Sequence, residues 1–396
     1  MKQTQSTMKS TAVLLLALLV SASSFQLHVL STPKHAHHIS LLSSTASPLI
    51  SQTENAASTK LWNWRGHDIF AESRTPVGGS TTGDKPAVIL LHGFGASTTY
   101  WRETMQTLQS EGYEVHALDL LGQGRSSKPT DGSVEYSINL WANMVDDYAS
   151  HHKIGENGVV LMGNSLGSLV ALAAATGDFV EGNRGQATYL SDNNEEPSRV
   201  KGICLFNCAV GLNSRNVLKN PNLSPIQRQV FGWIFDVLNA LIFDNEMLLS
   251  YALDNIVTKE LLRDALKGLY LHSPDRVDDE LVDSFYYPAK EAGDGGVQAI
   301  RQIYTNDAGL TPMEMHEKYP EVLSSIPLHL IWGNEDVVTP ITGDVGSFYC
   351  DYVANNRGGR GLTTIDVVKG GHMPFDDNPV ETHQNMLKWL ENKVLQ

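Results

Sequence analysis

A chain of 396 residues, 41% of them hydrophobic, can bury one large core or two smaller ones, which excludes disorder throughout its length. The formal charge of -15 at pH 7 argues against nucleic acid or an anionic membrane as an electrostatic partner, because both reward Lys and Arg. Cys204, Cys208 and Cys350 are too few and too irregularly spaced for a disulfide framework or a zinc site, and are expected as buried thiols in a reducing compartment.

The first 60 residues carry the only basic excess, with Lys2, Lys9, Lys34 and Lys60 set against Glu54, so the body is acidic. Lys2 and Lys9 precede the apolar run Ala12 to Val20, and Ser21 to Ser24 supply small residues suited to a signal peptidase, so residues 1–24 read as a signal peptide. That run is too short to anchor the chain across a bilayer of about 30 Å. Residues 25–60 are rich in Ser, Thr and His with a single acid, the composition of a transit peptide. The joined segments resemble the two-part plastid address of algae; plain secretion is the alternative. His35, His37 and His38 lack a structured element or an acidic second shell and read as solvated leader residues rather than metal ligands.

Beyond the leader, short apolar runs alternate with longer amphipathic stretches, the order of a mostly parallel sheet with crossover helices. Strands are predicted at Val88–Leu91, Val115–Leu118, Val159–Met162, Ile203–Phe206, Leu328–Trp332 and Ile365–Val368, and helices at Trp101–Ser110, Ile138–His151, Leu166–Thr176 and Val380–Val394. The expected α/β core spans residues 61–211 and 325–396. Between them, residues 212–324 lack a strand pattern and read as an inserted helical cap, in which Ile226–Phe243 is apolar nearly all round. Its Trp233 and Phe235, with Phe94, are candidate contacts for a hydrophobic substrate; the equal alternative is that the cap aromatics simply pack the cap onto the core. Asp178–Arg199 and Ala354–Gly361 read as surface insertions.

Gly163-Asn164-Ser165-Leu166-Gly167 follows a predicted strand and opens a predicted helix, the context of a nucleophile elbow. A serine in a strained turn needs small neighbours two residues away on either side, and both positions are Gly. His92-Gly93-Phe94-Gly95 follows the strand Val88–Leu91, so the backbone N–H groups of Phe94 and Leu166 are candidates for an oxyanion hole. Asp336 stands after the strand Leu328–Trp332 and His372 after Ile365–Val368, giving the chain order Ser, Asp, His of an α/β-hydrolase fold. Glu335 is the rival for the acid, and the loop position favours Asp336. In this reading Ser165 attacks, His372 is the base and Asp336 orients it. An aspartate would be expected at position 165 of halide- or epoxide-cleaving relatives. With no phosphate loop, metal-ligand cluster or dinucleotide fingerprint, no cofactor and no metal are expected.

Several stretches carry a resemblance. His92 to Ser97 with Trp101-Arg102, Asp119 to Ser126, and the Gly163–Gly167 elbow resemble the plastid α/β-hydrolases that include pheophytinase and chlorophyll dephytylase. Leu205 to Asn213 and Gly371 to Asp377 lie closer to the dephytylase side, as does His92 where pheophytinases tend to carry Pro. The likeness runs from about Leu61 to Leu395 and departs at Asp178–Arg199. It implies hydrolysis of the phytyl ester of chlorophyll or a derivative to a chlorophyllide and phytol, with a cap that could reach thylakoid lipid. Three readings remain open from the residues themselves: this one, a generic lipid or carboxyl esterase or lyase-type relative, and a non-catalytic ligand receptor on the same scaffold.

Overall fold

The computed structural model describes residues 58–76, 85–179, 188–191, 198–213, 245–357 and 361–395, with isolated positions between 216 and 236. Eight strands form one sheet in the order β1-β2-β4-β3-β5-β6-β7-β8. They are β1 (Ser58–Trp64), β2 (His67–Arg74), β3 (Ala87–Leu91), β4 (Val115–Leu118), β5 (Val159–Asn164), β6 (Val200–Phe206), β7 (Leu328–Gly333) and β8 (Thr363–Val368). The pairs from β4 through β3 to β8 are all parallel, whereas β1 and β2 add an antiparallel edge.

Every residue of β3, β5 and β7 is buried, as expected of strands covered on both faces. Their alternation splits the interior in two. Ile89 and Leu91 join a core with Trp141 and Leu169, and Val88 and Leu90 join a second with Trp101, Phe375 and Trp389.

Helices α1 (Arg102–Ser110), α2 (Ile138–His151) and α3 (Leu166–Thr176) connect the first parallel strands. The Ser137 hydroxyl caps α2 by accepting from the Leu140 N–H at 3.1 Å. All eleven residues of α3 are buried, which explains a run apolar on every side. Between β6 and β7 the described residues hold no strand, and their α-helices are α4 (Glu246–Asn255), α5 (Lys259–Lys267), α6 (Asp279–Glu291), α7 (Asp294–Thr305), α8 (Pro312–Lys318) and α9 (Pro320–Ser325). A reciprocal capping box between Thr311 and Glu314 starts α8. Met315 of α8 and Leu323 of α9 pack into the same core as α3, so the end of the inserted segment rejoins the layer beside the sheet. Helices α10 (Asp344–Ala354), α11 (Pro374–Asp377) and α12 (Pro379–Trp389) complete the chain.

The expected doubly flanked, mostly parallel sheet is present, with corrections at its two ends. The edge hairpin β1–β2 is absent from the predicted strands, and β1 (Ser58–Trp64) begins three residues inside the segment that reads as leader. Its strands are half exposed, so they lack the continuous apolar run that marks a buried strand. The predicted final helix to Val394 instead ends at Trp389 and passes into a wider π turn over Leu390–Val394. Trp233 and Phe235, and most of Ile226–Phe243, lie outside the described residues.

Candidate active site

Strand order reverses about β3, with β4 on one side and β5 on the other, and the crevice at the carboxyl ends of such strands is where open α/β sheets bind ligands. The loop after β3 and the turn after β5 meet there. Ser165 sits in that turn with φ 53° and ψ -117°, a region that costs a non-glycine residue about 1–3 kcal/mol. The flanking glycines are required by contact. A Cβ on Gly163 would lie 2.2 Å from the Gly167 carbonyl oxygen, and one on Gly167 would lie 2.1 Å from that of Leu91. Leu166 opens α3, so its N–H is among the first-turn donors that a helix leaves without an intrahelical acceptor.

The loop after β3 is fixed by its buried histidine. The Leu120 N–H donates to His92 Nε2 at 2.9 Å, so Nδ1 carries the proton and donates to the Gly93 carbonyl at 2.7 Å. Burial holds the His92 pKa below its ordinary value and keeps the ring neutral. The Gly95 N–H donates to Gln123 Oε1 at 2.7 Å, and Asp119 accepts from the backbone N–H groups of Thr98 and Arg125. The Asp119–Ser126 stretch therefore braces the loop that carries Phe94. Phe94 itself is half-buried and stands edge-on to Tyr304 of α7, with ring centroids 5.4 Å apart.

Asp336 and His372 are brought together from the ends of β7 and β8. His372 Nδ1 lies 2.9 Å from Asp336 Oδ2. Asp336 is buried, while Glu335 beside it is exposed, which settles their competition for the histidine. Burial alone would raise the Asp336 pKa, but the facing His372 and hydrogen bonds from His372, Asn207 and Thr339 outweigh it, so the carboxyl stays below its ordinary value. Val338 N–H donates to Oδ1 at 2.7 Å, and Thr339 Oγ1 donates to Oδ2 at 2.7 Å. Asn207 and Thr339 were not singled out as site residues; their role depends on where the turns after β6 and β7 put them, which no local pattern records.

The histidine loop is also fastened to the helical insertion. Its His372 N–H donates to the Leu269 carbonyl at 3.0 Å, and the buried Asp377 accepts from Gly371, His272 and Ser273 N–H groups. Ser165, His372 and Phe94 face a common cavity of about 210 Å³. Its far side is apolar, built by Leu253, Leu266, Phe285, Ile300 and Ile303. Trp233 and Phe235 cannot be placed in it, being outside the described residues. Cys204 and Cys208 are buried free thiols, and Cys350 is a partly buried one.

Known proteins share this architecture. A model of the "Alpha/beta hydrolase family" matches residues 88–384. The 1-acylglycerol-3-phosphate O-acyltransferase ABHD5 of Rattus norvegicus is 23% identical over 305 residues, 76% of each chain. The probable lysophospholipase BODYGUARD 3 of Arabidopsis thaliana is 30% identical over 114 residues, covering 28% of this chain and 22% of that protein. Among solved structures, a bacterial membrane phospholipase A aligns with a TM-score of 0.53 at 21% identity, over 85% of this chain and 86% of its own. The epoxide hydrolase VrEH1 of Vigna radiata aligns at 0.57 and 18% identity, over 85% and 98%. These structural likenesses are likenesses of fold. With the family model spanning most of the chain from β3 into α12, the chain belongs to the alpha/beta hydrolase family.

Proposed function

We propose that the protein is a serine hydrolase of carboxylic esters that carry a long apolar chain. One observation carries this reading: the strained Ser165 elbow and the Asp336-supported His372 open on the same largely apolar cavity. In the reaction Ser165 Oγ attacks the ester carbonyl as His372 Nε2 takes its proton. Asp336 holds the Nδ1–H tautomer and supports the imidazolium. The tetrahedral oxyanion is received by the N–H groups of Phe94 and Leu166. His372 then returns the proton to the departing alcohol, and water, activated by the same imidazole, releases the acid from the acyl-enzyme.

Within that class the substrate is the phytyl ester of chlorophyll or a close derivative. The resemblance at His92–Ser97, Asp119–Ser126 and Leu205–Asn213 supports this choice. An isoprenoid chain gains about 0.8 kcal/mol per buried methylene, which suits the apolar wall facing Ser165, while the macrocycle stays at the mouth. The leader fits a plastid address with secretion as the alternative, and contact of the cap with thylakoid lipid belongs to the same reading. A second reading, an acyl-lipid ester, draws on the names of the BODYGUARD and phospholipase A relatives. Purified protein should be offered chlorophyll a, a lysophospholipid and short p-nitrophenyl esters. Release of chlorophyllide supports the first reading, fatty acid release the second, and cleavage of the small esters alone rejects both. Retention of biological activity by Ser165→Ala would favour a non-catalytic receptor instead.

A further inference from the structure

Asn164, the residue before the nucleophile, is 1% exposed, and each polar atom of its side chain has a partner. Its Oδ1 accepts from the Tyr100 hydroxyl at 3.3 Å. The same hydroxyl accepts the Gly93 N–H at 2.6 Å. Its Nδ2 donates to the carbonyl oxygens of Phe206 and His372, each at 3.1 Å. Phe206 O also accepts the Ser165 N–H at 3.0 Å. One buried hydrogen-bonded chain thus runs from the loop of Phe94, through Tyr100 and Asn164, to the backbone of His372, and it passes directly behind the serine.

We infer that Asn164 is a positioning residue, backed by Tyr100, that sets the separation of Ser165, His372 and the Phe94 N–H. The inference rests on the serine-hydrolase reading above. The geometry supports a division of labour. Asp336 fixes the rotation of the imidazole through Nδ1, but it does not fix where the histidine backbone stands relative to the elbow. Among the described residues, Asn164 is the side chain that bonds the His372 carbonyl, and it belongs to the elbow itself. Tyr100 cannot reach His372 directly by this chain and acts through Asn164. Its ring is held independently, with centroids 4.9 Å from Trp101 and 5.0 Å from Phe375, so removal of the hydroxyl leaves the packing in place. Neutral partners suit the task, since a carboxylate at position 164 would face two carbonyl oxygens and could not donate to either.

The test compares wild type, Asn164→Ala, Asn164→Asp, Tyr100→Phe and the Asn164→Ala/Tyr100→Phe double variant on a p-nitrophenyl ester, below each protein's unfolding transition. Asn164→Ala and Asn164→Asp are expected to lower kcat about 10²-fold with KM changed less than about twofold, the size of loss that a small misplacement of reacting groups produces. Tyr100→Phe is expected to lower kcat less, and the double variant no further than Asn164→Ala, because both act through one chain. If Asn164→Ala fails to fold, Tyr100→Phe carries the test. Kcat within twofold of wild type in the variants that fold, or a loss confined to KM or Tm, would overturn the inference. The same comparison is made on chlorophyll a or a lysophospholipid if the wild type does not cleave the p-nitrophenyl ester, and a wild type inactive on all three would instead reject the hydrolase reading on which the inference rests.

Discussion

The Asn207 side-chain amide donates to Asp336 Oδ2 at 2.5 Å, the same carboxylate oxygen that faces His372 Nδ1 at 2.9 Å. Asn207 in turn accepts the Gly333 N–H through its Oδ1 at 3.1 Å, so the turn after β6 grips both the acid and the end of β7 that carries it. Its backbone has φ 46°, a left-handed conformation that Asn tolerates better than most side chains do.

Two substitutions separate these roles. Asn207→Gly removes the amide without backbone strain, and Asn207→Ala removes it and adds strain of about 1 kcal/mol. Both should lower kcat by a similar factor of about 10 or more, since a charged acceptor loses a donor worth about 1.5–3 kcal/mol. Urea unfolding should show the Ala variant less stable than the Gly variant. Equal stability, or wild-type kcat in both, contradicts this account of Asn207.

The elbow glycines make a steric prediction. Gly163→Ala and Gly167→Ala put a methyl within 2.2 Å of backbone oxygen and should cost about 3 kcal/mol each through displaced backbone. Gly66→Ala meets no atom within 4 Å and should cost about 1–2 kcal/mol from its positive φ alone. Thermal melts of the three variants provide the check, and the reverse ranking would refute it.

Acid should unfold the protein through buried histidines. His316, His329 and His383 are held neutral by burial, each with its pKa lowered from 6.5 to about 4. Between those values the unfolded chain binds protons that the folded chain refuses. This contribution is fully present above pH 6.5 and is lost as pH falls toward 4. Each histidine contributes a slope of roughly 1.4 kcal/mol per pH unit in the window. Urea midpoints should therefore be flat from pH 8 to 7 and fall steeply from 6 to 5. His316→Phe, which keeps the packing against Phe348, Tyr349 and Tyr352, should reduce that slope. A midpoint unchanged down to pH 5 is the contrary result.

Asp376 is a buried hub. It faces Arg102 Nε at 3.1 Å and Arg276 Nη2 at 3.0 Å and accepts the Tyr270 hydroxyl at 2.8 Å, tying α1 and the loop after α5 to α11. Asp376→Ala leaves the arginines without their shared carboxylate and should lower stability by about 3 kcal/mol. Calorimetry of that variant with Tm unchanged would show the hub to be energetically idle.

How much of this was legible follows from which side chains announce themselves. Strands β3 to β7 are buried almost throughout and so read as apolar runs, whereas the edge strand β8 is half exposed and shows through Ile365, Val367 and Val368; the ends of all six move by at most three residues. Ser165 and its glycines were legible because contact permits little else at those positions. The hairpin β1–β2 was not, since Trp62 and Trp64 alternate with exposed residues and Ser58 and Thr59 match leader composition. Its signal was local: Arg65-Gly66, both at positive φ, form a tight turn between alternating residues. The choice of Asp336 over Glu335 rested on loop position and is explained by burial. Asn207, Thr339 and the Asn164 contacts depend on tertiary approach across the sheet and leave no periodic trace.

The most direct test of the central claim is covalent labelling by a fluorophosphonate, read by peptide mass spectrometry. The account predicts one modified residue, Ser165, in the folded wild-type protein, with labelling abolished in Ser165→Ala and slowed by several orders of magnitude in His372→Ala. A folded wild-type protein left unlabelled at Ser165, or labelled equally well without His372, would contradict it.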